Sequence, residues 1–160
     1  MKGMSVIVKT VTRWVKAFIF LFGAYVVITG HLTPGGGFAG GVIIACSYIL
    51  LTLSFGKDLA SKQLGTRLAH DLDSAGSLLF LAVGLLGFTT GGVFFVNFLE
   101  RRFPGEVFHI LSAGTIPISN IAIGLKVASS LFVVFVILSV LRIVTAGDGQ
   151  RKMVQEEEEE

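Results

Sequence analysis

Four apolar stretches, each about as long as a membrane-spanning helix, dominate this sequence. A bilayer core of about 30 Å requires about 20 apolar residues in a helix. Only 15% of the residues are charged, whereas soluble domains carry roughly 25%. The sequence therefore predicts an all-α membrane protein, with a single four-helix membrane domain over residues 1–147. The predicted spans run from Trp14 to Gly30, Gly36 to Phe55, Ala75 to Asn97 and Pro117 to Ile143.

The basic residues predict the orientation of these spans. Nine Lys and Arg residues lie before the first span, between the second and third, or at and beyond the end of the fourth, whereas the third connection carries only Arg101 and Arg102. Basic residues favour the cytoplasmic side. We therefore expect a multi-pass protein of the cell (inner) membrane with both termini in the cytoplasm. The nine residues are Lys2, Lys9, Arg13, Lys57, Lys62, Arg67, Arg142, Arg151 and Lys152.

The connection between the second and third spans has leucines at positions 64, 68 and 72. This spacing predicts a short amphipathic helix at the cytoplasmic interface. Asp73 or Ser74 is expected to cap the third span, while His70, Asp71 and Asp73 could alternatively form a metal or proton site. Residues 148–160 end in five glutamates and are expected to form a disordered acidic tail.

The segment His31 to Gly41 reads HLTPGGGFAGG. Its Gly35, Gly37 and Gly40 match the G-x-G-x-x-G pattern of nucleotide-binding folds, but that pattern requires a surrounding βαβ unit, which the flanking membrane-length stretches exclude. Pro34 is acceptable at a helix start, and glycines allow unusual dihedral angles. The segment therefore predicts a very tight turn between the first two spans.

Small residues form faces on two spans. They recur at Gly37, Gly41 and Ala45 and again at Gly84, Gly87 and Gly91. Small faces let helix backbones approach closely. We expect them to pack against other helices, including those of partner subunits.

Lys126 lies about 9 to 14 Å from the start of the fourth span, at about 1.5 Å per residue. Its helical neighbours Ser119, Ala122, Ser129 and Ser130 form a small, polar stripe that suits protein or water better than lipid. One hypothesis is that Lys126 changes charge on an ion pathway; the other is a lysine that reaches the outer interface or pairs statically with a partner's carboxylate. His31 could exchange protons or stabilise its turn by a hydrogen bond.

No nucleophile–base pair, metal-ligand spacing or basic-aromatic nucleic-acid surface is evident, and the single Cys46 cannot form an intramolecular disulfide. We therefore expect no enzyme activity of the chain on its own, no cofactor, no metal site and no nucleic-acid partner.

Two motifs carry a family resemblance. The segment Gly30 to Gly41, followed by Gly114 to Val127, resembles the B subunit of multisubunit Mrp-type sodium/proton antiporters, although Leu32 replaces an expected polar residue. Similar subunits occur in antiporter-like modules of membrane-bound hydrogenases and related ferredoxin-linked respiratory complexes. The residues that match the motifs are Pro34, Gly35, Gly36, Gly37, Phe38, Pro117, Asn120 and Lys126, and Gly40 and Gly41 extend the packing face.

The resemblance implies a non-redox subunit that assembles with other hydrophobic subunits in the lipid bilayer, with Na⁺ and H⁺ as the transported ions. By this reading, the Pro34–Phe38 motif shapes an inter-subunit surface or cation route, and Lys126 modulates charge along it. The alternative is a purely structural scaffold subunit with no direct role in ion movement.

Overall fold

A computed structural model describes residues 4–56, 64–105, 109, 112–145 and 151–155 of the chain. In this part of the chain the long helices are α1 (Val6–Ile28), α2 (Gly36–Phe55), α3 (Thr66–Gly91) and α5 (Ile116–Val140). A short helix, α4 (Phe98–Arg102), precedes α5. The four long helices are apolar and long enough to cross a membrane. The prediction of an all-α protein with four spans is therefore confirmed.

Helix bounds differ from the predicted spans where a helix does not end at the same residue as the apolar stretch. α2 has the predicted bounds, but α1 begins at Val6 instead of Trp14, because Lys9 and Arg13 interrupt the apolar stretch without interrupting the helix. Pro117 lies in the first turn of α5, where its missing N–H removes no intrahelical hydrogen bond. α5 ends at Val140 rather than Ile143.

The third span is shifted toward the N-terminus relative to its prediction. α3 starts at Thr66 and includes Leu68 and Leu72, so these leucines lie in the first turns of the long helix and do not form a separate interfacial helix. Residues 57–63 of that predicted element lie outside the described part. α3 ends at Gly91 and is capped by Gly92, which has a left-handed φ of 72° and donates its backbone N–H to the Phe88 carbonyl at 3.0 Å. The predicted continuation to Asn97 is therefore wrong.

The helices pack in a row, in the order α1, α2, α5 and α3. The last helix thus lies between the second and third, and α2 and α5 form the centre. A small apolar core lies between α3 and α5, where Ala69 and Phe132 are almost fully buried and Tyr48 of α2 packs against them. Most of the outer faces of α1 and α3 are exposed apolar surface, as expected for helices that face lipid or partner subunits.

Two short strands follow α5. β1 (Leu141–Thr145) pairs antiparallel with β2 (Arg151–Gln155), with Leu141 opposite Gln155 and Thr145 opposite Arg151. β2 lies inside the 148–160 segment that the sequence predicts to be disordered. That prediction rested on the run of glutamates, and composition does not show whether two nearby segments pair as strands. The five glutamates at 156–160 lie outside the described residues.

Candidate functional site

A polar cluster lies where α3 crosses α5, and Gly76 permits the close approach. A Cβ atom at position 76 would lie 2.7 Å from the Ala122 carbonyl oxygen and 2.9 Å from the Lys126 backbone nitrogen. Such distances are below normal contact, so a larger residue would separate the two helices at this level. Gly76 therefore brings the side chains of the preceding turn of α3 within reach of Lys126.

Asp73, Lys126 and Ser130 form a closed hydrogen-bonded triad across this crossing. The Lys126 ammonium donates to Asp73 Oδ1 at 3.1 Å and to Ser130 Oγ at 3.1 Å, and the Ser130 hydroxyl donates to the same Oδ1 at 2.6 Å. Lys126 and Ser130 are one helical turn apart. The sequence stripe around Lys126 therefore meets its carboxylate within the same chain, on the third span.

This arrangement changes two sequence interpretations. Asp73, read from the sequence as a helix cap, lies one to two turns inside α3 and pairs with Lys126. Among the described residues, no group of three or more His, Cys, Asp or Glu side chains could hold a metal ion. The alternative of a metal site at His70, Asp71 and Asp73 therefore finds no geometry in the described part of the chain.

The triad faces away from the chain's own core. The Lys126 side chain is 46% exposed and the Asp73 side chain 34% exposed. Both residues belong to helices of membrane-spanning length, and ionisable groups in such helices face protein interiors or water far more often than lipid. The open side of the triad is thus the face on which a partner subunit or a wet pathway would be expected.

The two sequence motifs meet at a second place, between the glycine turn and α5. The side-chain Oδ1 of Asn120 accepts a hydrogen bond from the Gly37 backbone N–H at 3.3 Å, and a Cβ at Gly37 would overlap the Asn120 carbonyl oxygen. Gly35 and Gly36 have φ of 144° and 78°, which only glycine adopts readily. The motif glycines thus let the start of α2 lie directly against Asn120.

The rest of the first motif borders this contact. Gly40 packs against Val27 of α1, and Gly41 packs against Gly124 and Val127 of α5, so the predicted small face of α2 contacts helices on both sides. Pro34 precedes α2 in the turn, and the Phe38 side chain is 65% exposed. Phe38 therefore points away from the chain's own helices.

His31 links the first turn to the third connection. Its Nε2 atom lies 3.2 Å from the backbone carbonyl oxygen of His109, and its Nδ1 atom is buried with no hydrogen-bond partner among the residues that the structure describes. Donation of Nε2–H to this carbonyl leaves Nδ1 as an acceptor in the neutral ring. The structure therefore places His31 in a contact between two connections, away from the Lys126 triad.

The second small-residue face has a different partner from the one expected. Gly84, Gly87 and Gly91 of α3 receive the segment Val93–Val96, which folds back after the helix ends, and the Phe95 N–H donates to the Gly84 carbonyl at 3.3 Å. Phe95 has a positive φ of 60° in this turn. This face is thus covered by the side chains and backbone of the segment that follows its own helix, and not by a neighbouring helix.

Sequence reasoning missed the role of Asn97. Its Oδ1 accepts hydrogen bonds from the backbone N–H groups of Glu100 and Thr115 at 3.3 and 2.9 Å, while its Nδ2 donates to the Ala113 carbonyl at 3.0 Å. Gly114, with φ of 58°, leaves room for this side chain. Asn97 therefore fastens α4 to the start of α5, and only its place at the end of an apolar stretch was visible in the sequence.

Comparison with known proteins decides the family of this four-helix chain. A family model described as a domain related to the MnhB subunit of the Na⁺/H⁺ antiporter matches residues 7–145. The chain belongs to the MnhB family. The match covers all four long helices and both motifs, so it confirms the resemblance read from the two motifs.

Relatives extend the comparison to nearly the whole chain. An uncharacterized protein of Methanocaldococcus jannaschii is 34% identical over 142 residues, which cover 86% of this MnhB-family chain and 53% of the relative. The mnhB2 antiporter-subunit homologue of Staphylococcus aureus strain Newman is 46% identical over 55 residues, 34% of this chain and 39% of that protein. The MnhB-family chain thus spans about half the length, or less, of the curated relatives it matches.

A solved structure shares the fold. A chain of the membrane-bound sulfane sulfur reductase, an archaeal respiratory membrane complex, matches with a TM-score of 0.70 and 30% identity. The alignment covers 83% of this MnhB-family chain and 59% of that chain. A multi-pass membrane protein with this row of four helices is therefore common to an antiporter family and to a respiratory complex.

Proposed function

We propose that this MnhB-family chain is an integral membrane subunit of a multisubunit sodium/proton antiporter or of an antiporter-like module in a ferredoxin-linked respiratory complex such as membrane-bound hydrogenase. In this proposal the chain has no catalytic activity of its own and works with other hydrophobic subunits. The observation that carries it is the Asp73–Lys126–Ser130 triad, a charged group held between two membrane-spanning helices with one side open.

The open side supports a partner or a wet pathway. An ionised pair that faced lipid would be costly, since a single charged residue at a helix centre costs about 2.5 to 3.5 kcal/mol on insertion scales. The triad gives the Lys126 ammonium two acceptors. Among the described residues its contacts use only Oδ1 of Asp73, which leaves the second carboxylate oxygen for another group. We infer that another subunit or water covers this face in the assembled complex.

The proposed mechanism is competition for the Asp73 carboxylate. A cation or proton that reaches Asp73 weakens its attraction for Lys126, and the released ammonium repels the next cation from the same place. Ser130 can remain hydrogen-bonded whether the pair is closed or released, because its hydroxyl can donate to the carboxylate or accept from the ammonium. Lys126 thereby modulates charge along a route, without carrying the transported ion itself.

The test is transport in membrane vesicles that contain the assembled complex. Lys126→Met and Asp73→Asn should each reduce sodium-dependent proton movement, followed with a pH-sensitive dye, while native gels show the same amount of complex. Arg101→Gln is the matched control, because it removes a cation from α4, outside the triad. Normal transport in both triad variants at normal assembly would refute the proposed role.

A charge-swapped variant separates transport from scaffolding. Asp73→Lys combined with Lys126→Asp restores an ion pair but reverses the positions of its charges. A purely structural subunit, the alternative function, predicts that the swap restores both assembly and transport. The proposed role predicts restored assembly with transport still reduced.

We also propose the cell (inner) membrane as the location, with both termini in the cytoplasm, from the distribution of basic residues. The test uses single cysteines at Ser5 and Gly92 in a Cys46→Ser background, labelled by a membrane-impermeant reagent in intact cells. Gly92 should be labelled and Ser5 should not. The reverse pattern would invert the topology.

A further inference from the structure

A basic and aromatic cavity lies on the surface between the start of α1 and the end of α2. Its volume is about 540 Å³. Arg13 and Lys16 lie on one side, and Phe20, Tyr48, Leu51 and Phe55 form most of the remaining wall. None of the residues that line the cavity belongs to the Lys126 triad, so the proposed function does not account for it.

Three cations of α1 line up along this cavity. Lys9, Arg13 and Lys16 are spaced by four and three residues and therefore share one helix face. The Lys9 ammonium lies 5.9 Å from the centre of the Phe55 ring, and the Lys16 ammonium lies 4.7 Å from the centre of the Tyr48 ring. These aromatic contacts hold the basic side chains across the α1–α2 groove, while Arg13 lines the cavity between them.

The position along the helices matches a membrane interface. The Met4 N–H donates to the Ser54 carbonyl at 3.1 Å, so the beginning of the described chain is joined to the end of α2. Trp14, a residue typical of membrane interfaces, is 68% exposed next to Arg13. The cavity therefore has a basic end near the headgroup region and an apolar wall that continues toward exposed Leu21.

We propose that this cavity binds an anionic phospholipid, with its phosphate on Arg13 and Lys16 and an acyl chain along Phe20, Leu51 and Phe55. Charge complementarity supports an anionic headgroup, because a phosphate diester offers acceptor oxygens to the guanidinium fork of Arg13. The apolar wall supports a ligand with an acyl chain, since a free inorganic anion would make no contact with this wall. Basic pockets between helices on the cytoplasmic side are established lipid-headgroup sites in membrane proteins.

The chain contains its own reporter for this site. Trp14 is the single tryptophan, and its fluorescence is quenched by brominated acyl chains that lie close to it. The full chain is reconstituted in nanodiscs of phosphatidylcholine with increasing fractions of brominated phosphatidylglycerol. A parallel series uses brominated phosphatidylcholine at the same fractions.

Quenching by brominated phosphatidylglycerol should saturate at a lower fraction than quenching by brominated phosphatidylcholine. Loss of two cations near a membrane surface reduces the preference for anionic lipid roughly thirtyfold, so Arg13→Gln with Lys16→Gln should abolish the difference. Arg101→Gln with Arg102→Gln removes the same charge elsewhere and should retain it. Equal quenching by both lipids in the unaltered chain, or equal loss in both double variants, would overturn the proposal.

A second pair of variants tests the apolar wall without changing charge. Ala17 lines the cavity and is exposed, so Ala17→Phe should weaken lipid retention, while Ala75→Phe on the exposed face of α3 should not. Native mass spectrometry of the purified complex measures the retained phosphatidylglycerol. Equal lipid counts in the two variants, or none in the unaltered complex, would refute the lipid site.

Discussion

The coupling between Asp73 and Lys126 can be measured by a double-mutant cycle. Asp73→Asn and Lys126→Met each remove one charge while keeping the size of the side chain, and the combined variant removes both. Because the two groups are in direct contact at 3.1 Å, their effects on the free energy of unfolding should not add. The cycle isolates the pair from the general cost of changing either helix.

The structure sets the magnitude of this coupling. Two unit charges 3.1 Å apart attract by about 5 kcal/mol at an effective dielectric constant of about 20. Lys126 is 46% exposed and Asp73 34% exposed, so solvent screening removes most of this energy. Polar contacts within membrane proteins average about 0.6 kcal/mol in such cycles, and the charged, doubly bonded geometry here raises the expected value to about 1 to 2 kcal/mol.

The double variant should lose less stability than the sum of the losses in the two single variants. Removal of one partner leaves the other charge unpaired, whereas removal of both leaves a neutral contact. The assay is unfolding of the full chain in mixed micelles at increasing SDS, followed by Trp14 fluorescence. The control cycle pairs Asp73→Asn with Lys16→Met on α1, which should be additive to within about 0.5 kcal/mol. A coupling below that value for the Lys126 cycle would refute the stabilising ion pair.

Three further contacts give predictions of their own. Gly37→Leu should lower stability by about 1 to 3 kcal/mol in the same SDS assay, because its side chain would overlap α5, while Phe38→Leu on the exposed side should change little. Gly87→Leu should displace the folded-back segment, so that a single cysteine at Val96 reacts several times faster with maleimide; an unchanged rate would show that the glycine face does not hold the segment. Asn97→Leu should cost about 1 to 3 kcal/mol by leaving backbone N–H groups unpaired. Asn97→Asp keeps the acceptor oxygens but loses the donor to the Ala113 carbonyl and to Glu100, so it should recover only part of the loss.

Hydropathy was sufficient for the number of spans but insufficient for their ends. The bounds of α2 agree with the prediction, because glycines limit the apolar stretch at both ends. α3 begins earlier than predicted because Arg67, Asp71 and Asp73 are compatible with a helix although they lower the hydropathy of this segment. A hydropathy pattern reports the solvent around a helix, whereas capping and local hydrogen bonds determine where the helix stops.

For the Lys126 triad, too, the sequence predicted one part and missed another. Lys126 was singled out by its depth in an apolar stretch, but Asp73 could not be assigned as its partner, because the two are 53 residues apart and a helix cap explained the carboxylate equally well. The two glycine faces were also indistinguishable by spacing. One contacts α5, whereas the other binds the segment that follows its own helix.

The sequence by itself determined that this MnhB-family protein has four membrane-spanning helices, a tight glycine turn and one deeply placed lysine, because composition and periodicity are local properties. Only the tertiary structure decided that α5 lies between α2 and α3. That order brings Asn120 to the glycine turn and Lys126 to Asp73. Helix order depends on which small faces fit together in three dimensions, and no local pattern in the chain specifies that fit.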